Sequence, residues 1–155
     1  DAAMNINIVA VGRMTNGPEK ELWDKYYNRL LWPITASEVP DSRAKQKESQ
    51  LSEEAKSITK VIPKNCLKVA LDLKGDMINS ISFAGLFEKW MLESQNRVVF
   101  IVGGANGLQR KFLTGVDHSL SMGLLTWPHM LARCMLLEQI YRTQCILTNH
   151  PYHRK

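Results

Sequence analysis

Two apolar runs in this chain end in residues that could admit a ligand. Residues 98–102, VVFIV, read as a strand buried on both faces, stopping at Gly103-Gly104 with a third glycine at Gly107. Glycine has no Cβ, so a ligand can approach the main chain there. Residues 120–127 read as a second strand ending at Pro128, which lacks an N–H and can open a helix at its first turn. Two strand ends facing one crevice would make a site with apolar walls and backbone hydrogen-bonding groups. The tail NHPYHRK adds Tyr152, His153 and Arg154, residue types that stack on bases and meet phosphates. His150 and His153 flank a proline with no cysteine or carboxylate close in sequence, so no metal site is expected.

Other chemistries lack their motifs. Gly103, Gly104 and Gly107 do not follow G-x-G-x-x-G and come late in the chain. No acidic residue ends a strand about 20 residues later, as a dinucleotide-binding fold requires. There is no phosphate-cradling G-x-x-x-x-G-K-[ST] and no G-x-S-x-G nucleophile elbow.

Positioning the candidate residues requires alternating strands and helices. Residues 5–12 form a strand ending at a glycine, and Pro18 opens a helix to about Leu31. Its Leu22, Trp23, Tyr26, Tyr27, Leu30 and Leu31 make a double stripe packed on a sheet, so the aromatics read as core. Residues 34–39 form a weaker strand, 41–47 a polar basic loop, 48–60 a surface helix and 67–73 a third strand closed by Lys74-Gly75. Ser82 is expected to cap a helix in which Phe83, Leu86, Phe87, Trp90 and Met91 share a face. A last helix runs from about Met130 to Leu147. The pattern is an α/β domain with a mostly parallel sheet and helices on both faces, its ligand site outside the carboxyl ends of the strands. Gly75, Gly103-Gly104 and Trp127-Pro128 are all expected at that edge.

The last helix is apolar around most of its circumference, more than one sheet contact can bury. Either a second copy covers the remainder, in a symmetric homodimer, or the helix's own domain does. Glu138 and Arg142 are spaced to pair, whereas Arg133 has no obvious partner.

With 155 residues the chain is about one domain, expected to bury about 70% of its unfolded surface. Residues 1–3 precede Met4 and read as additions, so the domain is expected at 4–155. Its 45% apolar and 23% charged content suit a globule, and no apolar run approaches the roughly 20 residues of a membrane span. Cys66, Cys134 and Cys145 form no C-x-x-C pair and read as buried thiols in a reducing cytoplasm. A net charge of +5 favours a polyanionic partner without identifying it.

Several motifs taken together carry a resemblance: VAVGRM near the start, LDLKG at 71–75, FIVGGANGL at 100–108, LTWPHMLAR at 125–133, LLEQIYR at 136–142 and NHPYHRK at the end. In order and spacing they resemble the RlmH family, bacterial SPOUT-class enzymes that methylate N3 of a pseudouridine in helix 69 of 23S ribosomal RNA. The match is poor over residues 40–60, Glu54-Ala55 stands where Glu-Gly is usual, and Trp127 replaces a smaller apolar residue or phenylalanine.

The resemblance implies a C-terminal deep trefoil knot holding S-adenosylmethionine, and a homodimer acting on rRNA in the assembled ribosome. Carried onto this sequence, the cofactor residues would be Leu71, Gly103, Met122, Gly123, Leu124, Leu125, Thr126 and Trp127. Arg133, Tyr152, His153 and Arg154 would meet RNA, the tail lying near a site composed between protomers. His129 either handles the N3 proton or simply opens the helix after Pro128, and Arg142 would bind substrate at the catalytic site. A ribosome- or RNA-binding module that kept the fold without activity is the alternative.

Overall fold

A computed structural model describes residues 3–154; residues 1–2 of the expected additions and Lys155 of the expected 4–155 domain lie outside the described residues. The strands are β1 (Asn5–Val11), β2 (Ile34–Val39), β3 (Leu67–Met77), β4 (Arg97–Val102) and β5 (His118–Ser121). They form one parallel sheet in the order β2-β1-β4-β3-β5. The helices are α1 (Pro18–Tyr27), α2 (Lys47–Val61), α3 (Ser80–Leu92), α4 (Arg110–Leu113) and α5 (His129–Leu147). Because every strand runs the same way, all the carboxyl ends meet at one edge.

The apolar run of β4 is buried on both faces, as its composition requires. Val98, Phe100 and Val102 pack in the cluster holding Trp23 of α1, Phe83 and Phe87 of α3, and Leu136, Leu137 and Ile140 of α5. Val99 and Ile101 face the opposite cluster with Ile58 of α2, against which Phe112 and Leu113 of α4 pack. Phe87 stacks between Trp32 at 5.6 Å and Phe100 at 5.9 Å, so this ring anchors α3 and the end of the α1 region to the sheet centre. The expected α/β architecture with helices on both faces is therefore present.

Several boundaries differ from expectation for local reasons. α1 stops at Tyr27 because the Leu31 and Trp32 N–H groups donate to the Gln144 side chain of α5, at 2.8 and 3.3 Å, outside any helix. The cap of α3 is Asn79, whose side chain accepts from the Ser82 N–H at 2.8 Å; Ser82 sits in the first turn instead of capping it. β3 continues to Met77 through a bulge, so that Leu71 and Asp76 both fall opposite Leu120 of β5. Within that bulge Gly75 presses on β5, where a Cβ would come within 2.6 Å of the Ser119 backbone, so it does not open toward a ligand. The expected strand over 120–127 shrinks to the end of β5. After it, Ser121 Oγ bonds back to both backbone groups of Gly123, which adopts φ +114, and the chain turns.

α5 lies against both α1 and α3. Its wide apolar girth is thus covered largely by its own domain, the second of the two explanations the sequence left open. No described helix is long and apolar enough to cross a membrane.

Candidate cofactor crevice and RNA tail

A crevice of about 310 Å³ opens at the carboxyl edge of the sheet, between the start of the β3 bulge, the glycine turn after β4, the loop after β5 and the start of α5. Small-molecule sites occupy roughly 300–1,000 Å³, so the size suits a nucleoside-sized ligand. Leu71, Gly103, Met122, Gly123, Leu125, Thr126 and Trp127 all line it, as expected of a cofactor site. Leu124 does not; it is turned to solvent, 73% exposed. A second crevice of about 410 Å³, more apolar, adjoins the first and shares Leu71, Leu120, Met122 and Gly123 with it. The smaller crevice is the better candidate for chemistry because only it combines the glycine turn with an imidazole.

The glycine turn is built for close approach. The Gly107 N–H donates to the Gly104 carbonyl at 3.0 Å, and a Cβ on Gly103 would come within 2.5 Å of the Gly107 carbonyl oxygen. Only a residue without a side chain fits there. Among the crevice-lining residues the sole charged side chains are Asp72 and Arg110, which pair with each other. Apolar walls and a side-chain-free backbone turn together fit S-adenosylmethionine.

His129, the first residue of α5, lines this crevice half-buried. A Cβ on Gly12 would lie 3.3 Å from Asp41 Oδ2 and 3.5 Å from His129 Nε2, so a carboxylate and an imidazole converge on the end of β1. Asp41 had no chemical signature in the sequence, sitting in a polar loop between β2 and α2.

Arg133, expected to meet RNA, is 3% exposed and turned into the protein. Its Nη1 donates to Glu38 Oε2 at 2.5 Å and its Nη2 to the Val11 and Gly12 carbonyls at 3.2 and 3.1 Å. Glu38 also accepts from the Met14 N–H at 2.7 Å. A buried guanidinium needs such partners. Arg133 therefore clamps the first turns of α5, and with them His129, to the ends of β1 and β2, and the expectation of an RNA contact is corrected.

The tail folds onto the far part of α5. Glu138, nearly buried, accepts from Arg142 Nε and Nη2 at 3.1 and 2.6 Å and from the Tyr152 phenol at 2.8 Å. Arg142 Nη1 lies 3.2 Å from His153 Nδ1, and its guanidinium lies over the Tyr152 ring at 4.8 Å. Burial, then hydrogen bonds with Tyr26 and Glu138, hold the Tyr152 phenol above its ordinary pKa. The structure thus gathers Arg142, Tyr152 and His153, leaves Arg154 exposed beside them, and separates all of them from His129. Thirteen helical residues at about 1.5 Å each put Arg142 about 20 Å along α5 from His129.

Cys134 and Cys145 are buried free thiols, whereas Cys66 is only half-buried. Burial pushes the Cys66 and Cys134 thiols up, which keeps them unreactive. Among the described residues no group of three or more His, Cys, Asp or Glu could hold a metal ion.

The chain is similar to known proteins over nearly its whole length. A family model described as "Predicted SPOUT methyltransferase" covers residues 4–153. A Nitrobacter hamburgensis protein named Ribosomal RNA large subunit methyltransferase H is 41% identical, over 97% of this chain and 99% of its own length. Proteins of the same name from Bradyrhizobium diazoefficiens and Rhodospirillum centenum are 38% and 40% identical with the same coverage. The solved structure of a probable methylase family protein from Haemophilus influenzae Rd KW20 superposes with a TM-score of 0.57 over 98% of this chain and 71% of that one. At 16% identity this last likeness is one of fold.

Proposed function

The chain belongs to the SPOUT methyltransferase family, and we propose that it methylates N3 of a pseudouridine in helix 69 of 23S ribosomal RNA, using S-adenosylmethionine. The observation that carries this reading is the glycine-cradled crevice with His129 in its wall, in a chain of net charge +5 whose relatives are named for large-subunit rRNA. We take the substrate to be the assembled ribosome in the cytoplasm, and the path of the chain after β4 to be the family's trefoil knot.

S-adenosylmethionine, when bound, supplies a methyl group on cationic sulfur, open to in-line attack. Leu71, Met122, Leu125 and Trp127 offer apolar surface for the nucleoside to pack on, and the backbone at Gly103, Gly123 and Thr126 supplies hydrogen-bonding groups. Holding donor and acceptor in line supplies much of the acceleration. The N3–H must also be lost, and His129 is the imidazole in the crevice wall that would take that proton. Asp41, converging on the same spot, can orient that ring.

Arg142, Tyr152, His153 and Arg154 bind RNA in this reading. On its own chain Arg142, around which Tyr152 and His153 gather, stands about 20 Å along α5 from His129, so in this reading the tail that completes a given crevice belongs to a second copy, and the working form is a homodimer.

The test is methyl transfer from labelled S-adenosylmethionine to ribosomes lacking the modification, in parallel with free rRNA, followed by mapping of the labelled nucleotide. Label at N3 of a helix 69 pseudouridine, on ribosomes, is the expected result. RNA binding without label would replace this reading with that of a non-catalytic ribosome-binding module.

A further inference from the structure

Asp72 and Arg110 form an ion pair that the methyl-transfer reading leaves unused. Asp72 follows Leu71 into the bulge of β3, and Arg110 opens α4. Nη1 and Nη2 of Arg110 donate to Asp72 Oδ2 and Oδ1 at 3.0 and 2.7 Å, an end-on fork. The Asp72 side chain is 9% exposed and that of Arg110 61%. So exposed an arginine gains the fold little by pairing. A nearly buried carboxylate held in a ligand crevice calls for another explanation.

The fork leaves both partners with spare capacity. A guanidinium has five N–H donors and a carboxylate about four lone-pair sites, and a bidentate pair uses two of each. The remaining donors of Arg110 and acceptors of Asp72 belong to the sole charged side chains among the residues lining the crevice. The rest of the wall is apolar or neutral.

We propose that the Asp72–Arg110 pair is the subsite for the amino-acid end of the cofactor, with the ligand ammonium on Asp72 and the ligand carboxylate on Arg110. This rests on the cofactor reading above and deepens it. An amino-acid zwitterion carries its ammonium nitrogen two bonds from its carboxylate carbon, so it can lie head to tail against an ion pair of similar span. Each charge then meets its opposite, and neither protein group gives up its first partner. The exposure of Arg110 fits this role, since its outer N–H groups face solvent and can accept a carboxylate without leaving Asp72. The same pair gives a crevice with one charged corner and otherwise neutral walls, which is the division a nucleoside joined to an amino acid presents.

Titration calorimetry on the full chain tests this with two nucleosides, S-adenosylhomocysteine and 5′-methylthioadenosine, which lacks the amino-acid end. The unaltered protein should bind S-adenosylhomocysteine at least about tenfold more tightly, the scale of one or two charge-assisted hydrogen bonds. Arg110→Ala removes an exposed side chain, and Asp72→Asn keeps the shape of the carboxylate; each should lose that preference while its affinity for 5′-methylthioadenosine stays unchanged. A variant pair that keeps the unaltered preference overturns the subsite, and so does equal weakening toward both nucleosides, which would mark a purely structural pair. Failure of the unaltered protein to bind either nucleoside would instead overturn the cofactor reading, and the subsite with it.

Discussion

The Tyr152 phenol is tied into α5 by its bond to Glu138, with Tyr26 Oη 3.3 Å away and the Tyr141 ring edge-on at 4.8 Å between centroids. Its pKa is raised, by burial first and then by these bonds, above the roughly 10 of an unfolded chain. A raised folded value means that the contribution is fully present below pH about 10 and is lost as pH rises through the folded pKa, because only the unfolded chain ionises at first. Urea unfolding at pH 8 and pH 11 should therefore show a fall in stability that Tyr152→Phe reduces. At pH 8 the variant should lose about 0.5–1.5 kcal/mol with the hydrogen bond. An identical alkaline fall in both proteins would clear the phenol of responsibility. At the same scale, Glu138, which the sequence offered only as a partner for Arg142, proves to be the acceptor that organises the tail.

Two elements make the crevice, the turn after β4 and the loop after β5. The turn works because Gly103 and Gly107 lie closer than side chains permit. Gly103→Ala drives a methyl group to within 2.5 Å of the Gly107 carbonyl oxygen, so the turn must shift. Overpacking of this kind costs about 1–3 kcal/mol. The expected outcome is a modest loss in melting temperature, with binding of S-adenosylhomocysteine weakened at least about tenfold. Unchanged affinity would mean that the turn does not cradle the ligand. The vanished second half of the expected 120–127 strand has the same cause seen from the other side. An apolar run argues for burial, but Gly123 at φ +114 and the Ser121 side-chain bonds end the pairing, and Leu124 and Leu125 come out 73% and 76% exposed.

Across the whole molecule the His129 and Arg142 ends of α5 are about 20 Å apart on one chain, and a homodimer with sites shared between copies follows from the proposed function. Genetic complementation tests it. Co-expressed His129→Ala and His153→Ala chains, each slow in methyl transfer alone, should recover activity when they associate, because one of the two crevices then has an intact His129 and an intact tail. Mixed chains that associate yet stay as slow as either parent would mean that each copy works with its own tail. The apolar girth of α5 is no longer an argument for association, since α1 and α3 cover it within the protomer. The length of α5 and what stands at its two ends carry the argument instead.

Hydrophobic periodicity and glycine placement were enough to order the strands and helices along the chain, to mark β4 as the buried centre and to expect a crevice at the carboxyl edge, because burial and backbone freedom are local properties of residue types. The ordered motifs were enough for the family and for most of the crevice wall. Partnership between residues far apart in sequence was decided by the tertiary structure. Arg133 looked free and proved buried against Glu38, 95 positions away; Arg110 and Asp72 met across 38 positions; Asp41 came beside His129 from a loop without signal. A charge in a sequence has no direction, and whether it faces RNA, a ligand or a buried counter-charge depends on which strand end the fold sets opposite it.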